Sequence, residues 1–159
     1  MTHSASQRRL IAFALITLFA VPAAWSVGQV SGKYLGNGKE AKLAHAVIVP
    51  HDPWEGETTY TVVLSEKDPA GIKKPDFDAT FGKLGDALVV AITRKGDIIG
   101  TEVCHQSLKR AGFSSTGTLL VENFKLADGQ MSGRFFTKGQ KTFFDDSWEI
   151  DLTFKGKLP

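Results

Sequence analysis

Residues 147–155 read SWEIDLTFK, in which Trp148, Ile150, Leu152 and Phe154 alternate with Glu149, Asp151, Thr153 and Lys155. Successive side chains of a strand leave on opposite faces, so one face of this segment goes to a core and the other to water. Alternation of the same kind predicts strands near 27–35, 41–49, 58–65, 87–93, 97–105, 117–124 and 130–137. Turn chemistry joins them: GNGK at 36–39, RKGD at 94–97, ADGQ at 127–130 and TKGQ at 137–140. No long stretch carries a helical period. The fold expected is an all-β, antiparallel sandwich of about 7–9 strands, with an up-and-down barrel as the second choice, since strand number does not separate open from closed sheets.

The first residues follow a different grammar. MTHSASQRR is basic, LIAFALITLFAV is continuously apolar and PAAWS supplies small residues, the three parts of a secretory signal peptide. The apolar run falls short of the roughly 20 residues that span a bilayer, which favours a cleaved leader over a retained anchor. The expectation is a signal peptide over residues 1–26 and one all-β domain over 27–159, periplasmic or extracellular, with membrane contact confined to export.

Charge narrows the partners. The chain holds 19 Lys and Arg against 17 Asp and Glu. Two of the bases, Arg8 and Arg9, belong to the leader, so the exported part is balanced. Neither nucleic acid nor an anionic membrane surface is a partner such a balance suggests. The pairs Lys73–Lys74 and Lys109–Arg110 read as solvated surface. A single cysteine excludes an intramolecular disulfide, so stability rests on packing.

Two connections carry aromatic residues beside acids. Segment 50–57 contains Trp54. Segment 66–86, EKDPAGIKKPDFDATFGKLGD, is too long for a hairpin, and its prolines and glycines argue against any regular element within it. Its Phe77 and Phe81 either fasten it to the body or form an exposed, ligand-contacting lip. Asp76 and Asp78 are spaced to reach one calcium ion, although the further ligands and central glycine of a calcium loop are missing. A third aromatic group is RFFTKGQKTFFDDSW, 134–148. Adjacent Phe residues on a strand point to both faces, so Phe136 and Phe144 are candidates for a contact patch.

Chemistry is harder to assemble. The pair Cys104–His105 would diverge on a regular strand, leaving His105 to meet His45 across a sheet, with His51 just beyond the strand end. Three imidazoles suit zinc or copper, and Cys104 would shift the preference towards copper. No HxH, CxxC or HExxH spacing demands such a site. As a nucleophile Cys104 is poorly served, because Glu102 raises its pKa. The acids Glu102, Asp145, Asp146, Glu149 and Asp151 are the material for a small secreted hydrolase. Ser114 and Ser115 lack a hydrolase elbow, and GNGK lacks a phosphate-cradle spacing. The reading favoured is a non-catalytic domain without a cofactor, binding a small ligand, glycan or protein through segments 50–57 and 66–86 or the hairpin 134–148. Its principal rivals are a copper, zinc or redox protein built on His45, His51, Cys104 and His105, and the hydrolase.

Overall fold

The computed structural model describes residues 27–159; the leader expected over residues 1–26 lies outside the described residues. The described chain runs β1 (Gly28–Gly36), β2 (Lys39–Ala41), β3 (His45–Trp54), β4 (Glu57–Ser65), α1 (Pro75–Thr80), β5 (Ala87–Thr93) and β6 (Ile98–Cys104). It continues through β7 (Phe113–Ser114), β8 (Leu120–Ala127), β9 (Gln130–Phe136), β10 (Lys141–Phe143) and β11 (Asp146–Lys157). The fold is all-β and antiparallel, as the alternation predicts. Its eleven strands follow one hydrogen-bonded path, β7-β6-β5-β4-β3-β1-β11-β9-β8, with β2 added to β1 and β10 to β11. Two separate sheets are therefore not formed, and β7 and β8, the ends of the path, do not pair to close a barrel.

Instead the path curls until its two halves share a core. Phe113 of β7 stacks on Phe143 of β10 with ring centroids 4.6 Å apart, and meets Trp148 of β11 edge-on at 6.0 Å. Trp148, Ile150, Leu152 and Phe154 all lie in this inner core, facing Leu64, Leu88, Val90 and Val103 from the other half. The handed twist of strands accumulates along a long path and brings its faces together.

The tight turns are those that their residues require. Asn37–Gly38 has φ of 49° and 76°, and Asp128–Gly129 has 53° and 69°, the left-handed pair that two-residue hairpins need. Glu55–Gly56 has the same form, at 50° and 79°. Segment 50–57 is thus the end of β3 and a tight hairpin rather than a loop, and Trp54 stands on the strand opposite Glu57.

Segment 66–86 holds the clearest departure. Its prolines and glycines do not exclude regular structure: Pro75 opens α1 and Gly82, with φ of 72°, follows its end. Proline is tolerated in the first helical turn, where its missing N–H has no partner to lose, and glycine suits the left-handed exit. Ala79 and Leu84 pack with Val47, Val49, Val63 and Val89 in a second core on the outer face of β3–β5, with Ile72 at its edge. The sheet is therefore covered on both faces there.

One buried carboxylate clasps three connections. Asp146 accepts hydrogen bonds from Asn37 Nδ2 at 2.8 Å and from the backbone N–H groups of Lys109 and Arg110 at 2.9 and 3.2 Å. Those donors hold its carboxyl below the usual range, with the backbone of Lys109 the largest cause. Asn37 Oδ1 in turn accepts from Ser147 N–H at 2.8 Å.

Candidate functional site

The outer face of the sheet carries a row of cross-strand partners, Val49, Thr61, Ala91 and Gly100. The next row is Val47, Val63, Val89 and Glu102. Small side chains in the first row leave a trough beside α1, and the structure holds a cleft of about 400 Å³ there. Thr61, Val89, Ala91, Gly100 and Glu102 contribute its floor; α1 and its C-cap contribute Asp76, Phe77, Thr80 and Phe81; His51 and Trp54 come from β3. Ile99 also reaches it because β6 has an irregularity at that point: Ala91 pairs with Gly100, but Ile92 pairs with Ile98. A bulge of this kind adds a residue and re-aims the side chains before it, and Ile98 packs on the inner core instead.

The rim is aromatic. Trp54, Phe77 and Phe81 are 52 %, 53 % and 65 % exposed. Folding of segment 66–86 onto the body is done by Ile72, Ala79 and Leu84, which leaves the two Phe rings free as a lip, 4.5 Å apart between centroids. Only five large apolar side chains among the described residues are exposed, and three of them stand around this one cleft. An isolated exposed Phe needs no explanation, but convergence of three on a concavity does.

Polar groups are few. His51 Nδ1 lies 3.1 Å from Thr61 Oγ1. Partial burial raises the pKa of the Glu102 carboxyl, opposed by a hydrogen bond from Ser114. Asp76 and Asp78 turn to different places: Asp78 pairs with Lys83 at 2.7 Å, while Asp76 lines the cleft. Two residues apart on a helix, they do not present oxygens to one point.

The other aromatic candidates lie elsewhere. Phe136 is half-buried beneath the Arg134 guanidinium, 4.8 Å from the ring centroid. Phe144 is 75 % exposed, but Arg110 covers it at 4.7 Å in a separate shallow pocket with Lys109, Asp145 and Asp146. Neither reaches the cleft.

The histidines are dispersed. His45 and His51 lie six positions apart on β3, roughly 20 Å at the rise of an extended strand, and His51 is the one at the cleft. His45 shares the outer face with Val47 and Val49. His105 packs edge-on against Tyr34 of the inner core, with ring centroids 4.9 Å apart, so it does not face His45. Among the described residues no group of three or more His, Cys, Asp and Glu is placed to hold a metal ion. Cys104 is buried in the outer core, and burial, with Glu102 as the second cause, pushes its thiol up to about 12.

Both nitrogens of the His105 ring are engaged. Nδ1 accepts from Ser107 N–H and Nε2 donates to the Lys39 carbonyl, each at 3.1 Å. Burial lowers its pKa, against the opposing pull of Asp86 at 3.6 Å and of the Lys39 carbonyl. A neutral buried imidazole contributes stability fully above its unfolded pKa of about 6.5 and loses it as pH falls below that value, because the unfolded chain binds the proton first. Melting curves at pH 7.5 and 5.5 should show a smaller loss of Tm for His105→Gln than for the wild type. An equal loss would show that His105 does not carry this pH dependence.

Of the acids considered for hydrolysis, Asp146 is the clasp described above. Asp145 pairs with Lys109, Glu149 with Lys33 and Asp151 with Arg134. Glu102 alone of them lies in the cleft, where Asp76, a residue the sequence marks only through its spacing from Asp78, accompanies it. No protein-family model matches this chain, and no curated protein or solved structure shows significant similarity to it.

Proposed function

We propose that the domain binds a small ligand in the cleft between α1 and the outer face of β4–β6, gripping an apolar body between Trp54, Phe77 and Phe81. The supporting observation is the convergence of those three exposed rings, one from the end of β3 and two from α1 and its C-cap, on a trough left by Thr61, Ala91 and Gly100. A volume of about 400 Å³ falls in the size range of small-molecule sites, roughly 300–1,000 Å³. The neutral dye Nile red tests this reading. One equivalent should bind the wild type, and the triple variant Trp54→Ala, Phe77→Ala, Phe81→Ala should lose it with little change in Tm, since exposed side chains carry little of the fold's stability. Binding retained by the triple variant would place the site elsewhere.

A second reading, acid–base chemistry on the bound ligand, draws on Glu102, a partly buried carboxyl that shares the cleft with Asp76. It requires Glu102→Gln to abolish turnover of a bound substrate while leaving binding in place.

A further inference from the structure

We infer that the cleft selects an organic cation with an apolar body, an alkylammonium or arylalkylammonium, over neutral and anionic molecules of the same shape. The inference rests on the proposed binding role of the cleft and adds the charge of its ligand.

Three observations carry it. First, the cleft contains two carboxylates, Glu102 on the floor and Asp76 on the helix wall, and among the described residues lining it there is no Lys or Arg. Second, neither carboxylate belongs to an ion pair among the described residues, whereas Asp78, two positions along the same helix, is paired with Lys83. Glu102 is also half-buried, and a carboxylate withdrawn from water without a counter-charge is costly. A cation arriving with the ligand would compensate it, a neutral ligand would bury it further, and an anion would be repelled. Third, the rim is built of the aromatic rings of Trp54, Phe77 and Phe81, and an ammonium group is attracted to the negative face of such a ring. Lys83 Nζ already lies 6.0 Å from the Phe77 centroid, so this ring tolerates an ammonium nearby. One acid on the floor, one on the helix wall and aromatic rings at the rim suit a ligand that is charged at one end and apolar along its body.

Three probes with one phenylbutyl body separate charge from shape: 4-phenylbutylammonium, 4-phenylbutan-1-ol and 4-phenylbutanoate, each titrated into the protein and followed by backbone amide shifts. The ammonium should bind about tenfold more tightly than the alcohol, the carboxylate should be weakest, and raising the salt should narrow the gap. The double variant Asp76→Asn, Glu102→Gln should bring ammonium and alcohol to within about twofold while still binding both. If the alcohol or the carboxylate matches or exceeds the ammonium on the wild type, the charge preference is wrong and the binding role stands. A preference that persists in the double variant would also overturn the inference, because the selecting charges would lie elsewhere. Should none of the three probes shift the amides of the cleft, the binding role fails and the inference with it.

Discussion

Replacing Trp148 by Ala should destabilise the domain by about 3–5 kcal/mol and lower Tm by roughly 10–20 °C. Trp148 is among the largest fully buried side chains. Its backbone pairs with Gly36 of β1 on one side and Lys141 of β10 on the other. Its ring meets Phe113, from the far end of the strand path. Truncation therefore leaves a cavity at the seam where the curled sheet meets itself, and the strands on either side are too constrained to collapse into it. Urea or thermal unfolding measures the loss. A change below about 1 kcal/mol would mean that the seam does not hold the two halves together.

Gly32→Ala should destabilise the domain by roughly 3 kcal/mol or more. Gly32 sits opposite Leu152 in the ladder between β1 and β11. Its φ is +126°, where L residues are strained, and an added Cβ would lie 2.1 Å from the Asp151 carbonyl oxygen. That neighbour is backbone, so no flexible side chain can move aside; the ladder itself must part. Gly38→Ala is the control. Its φ is +76° with nothing within 4 Å of the added Cβ, so only backbone strain of about 1–2 kcal/mol applies. Equal losses for the two variants would show that the clash with β11 is not real.

Much of this fold is written in local pattern. The alternation around Trp148 places all four apolar residues in the inner core, and the Asn37–Gly38 and Asp128–Gly129 turns form as their chemistry requires. The opposition of Cys104 and Glu102 was legible as well, since an acid on the same strand face disfavours a thiolate. The second core was less visible, although its signal exists: AVIV at 46–49, TVVL at 61–64 and ALVVAI at 87–92 are continuous rather than alternating, as strands buried on both faces are. Pro75 reads as a breaker in sequence because a proline that opens a helix and one that interrupts it look alike until the following residues are placed. Curvature of the path, which decides between separate sheets and one curled sheet, depends on twist summed over many strands and has no single-residue signature.

The site divides in the same way. Trp54, Phe77 and Phe81 stand out as aromatics in polar connections, and the fold brings them to one cleft. Ala91 and Gly100, which make the trough, could not be recognised beforehand, because a small residue acquires meaning only from its cross-strand neighbours. Phe136 and Phe144 carry the same sequence signal as Trp54, but each is met by an arginine and neither reaches the cleft. The expected encounter of His45 with His105 fails for a geometric reason: His45 lies on the outer face of β3 with Val47 and Val49, whereas His105, one residue past the end of β6, packs against Tyr34 of the inner core.

The most direct test of the cleft as the binding site is the map of amide shifts produced by 4-phenylbutan-1-ol, the uncharged probe, on the wild-type protein. Shifts should concentrate at Trp54, Phe77, Phe81, Ile99, Gly100 and Glu102, with the region of Phe144 and Arg110 unmoved. Shifts centred on Phe144 and Arg110, or none at the cleft at saturating probe, would contradict binding in the cleft.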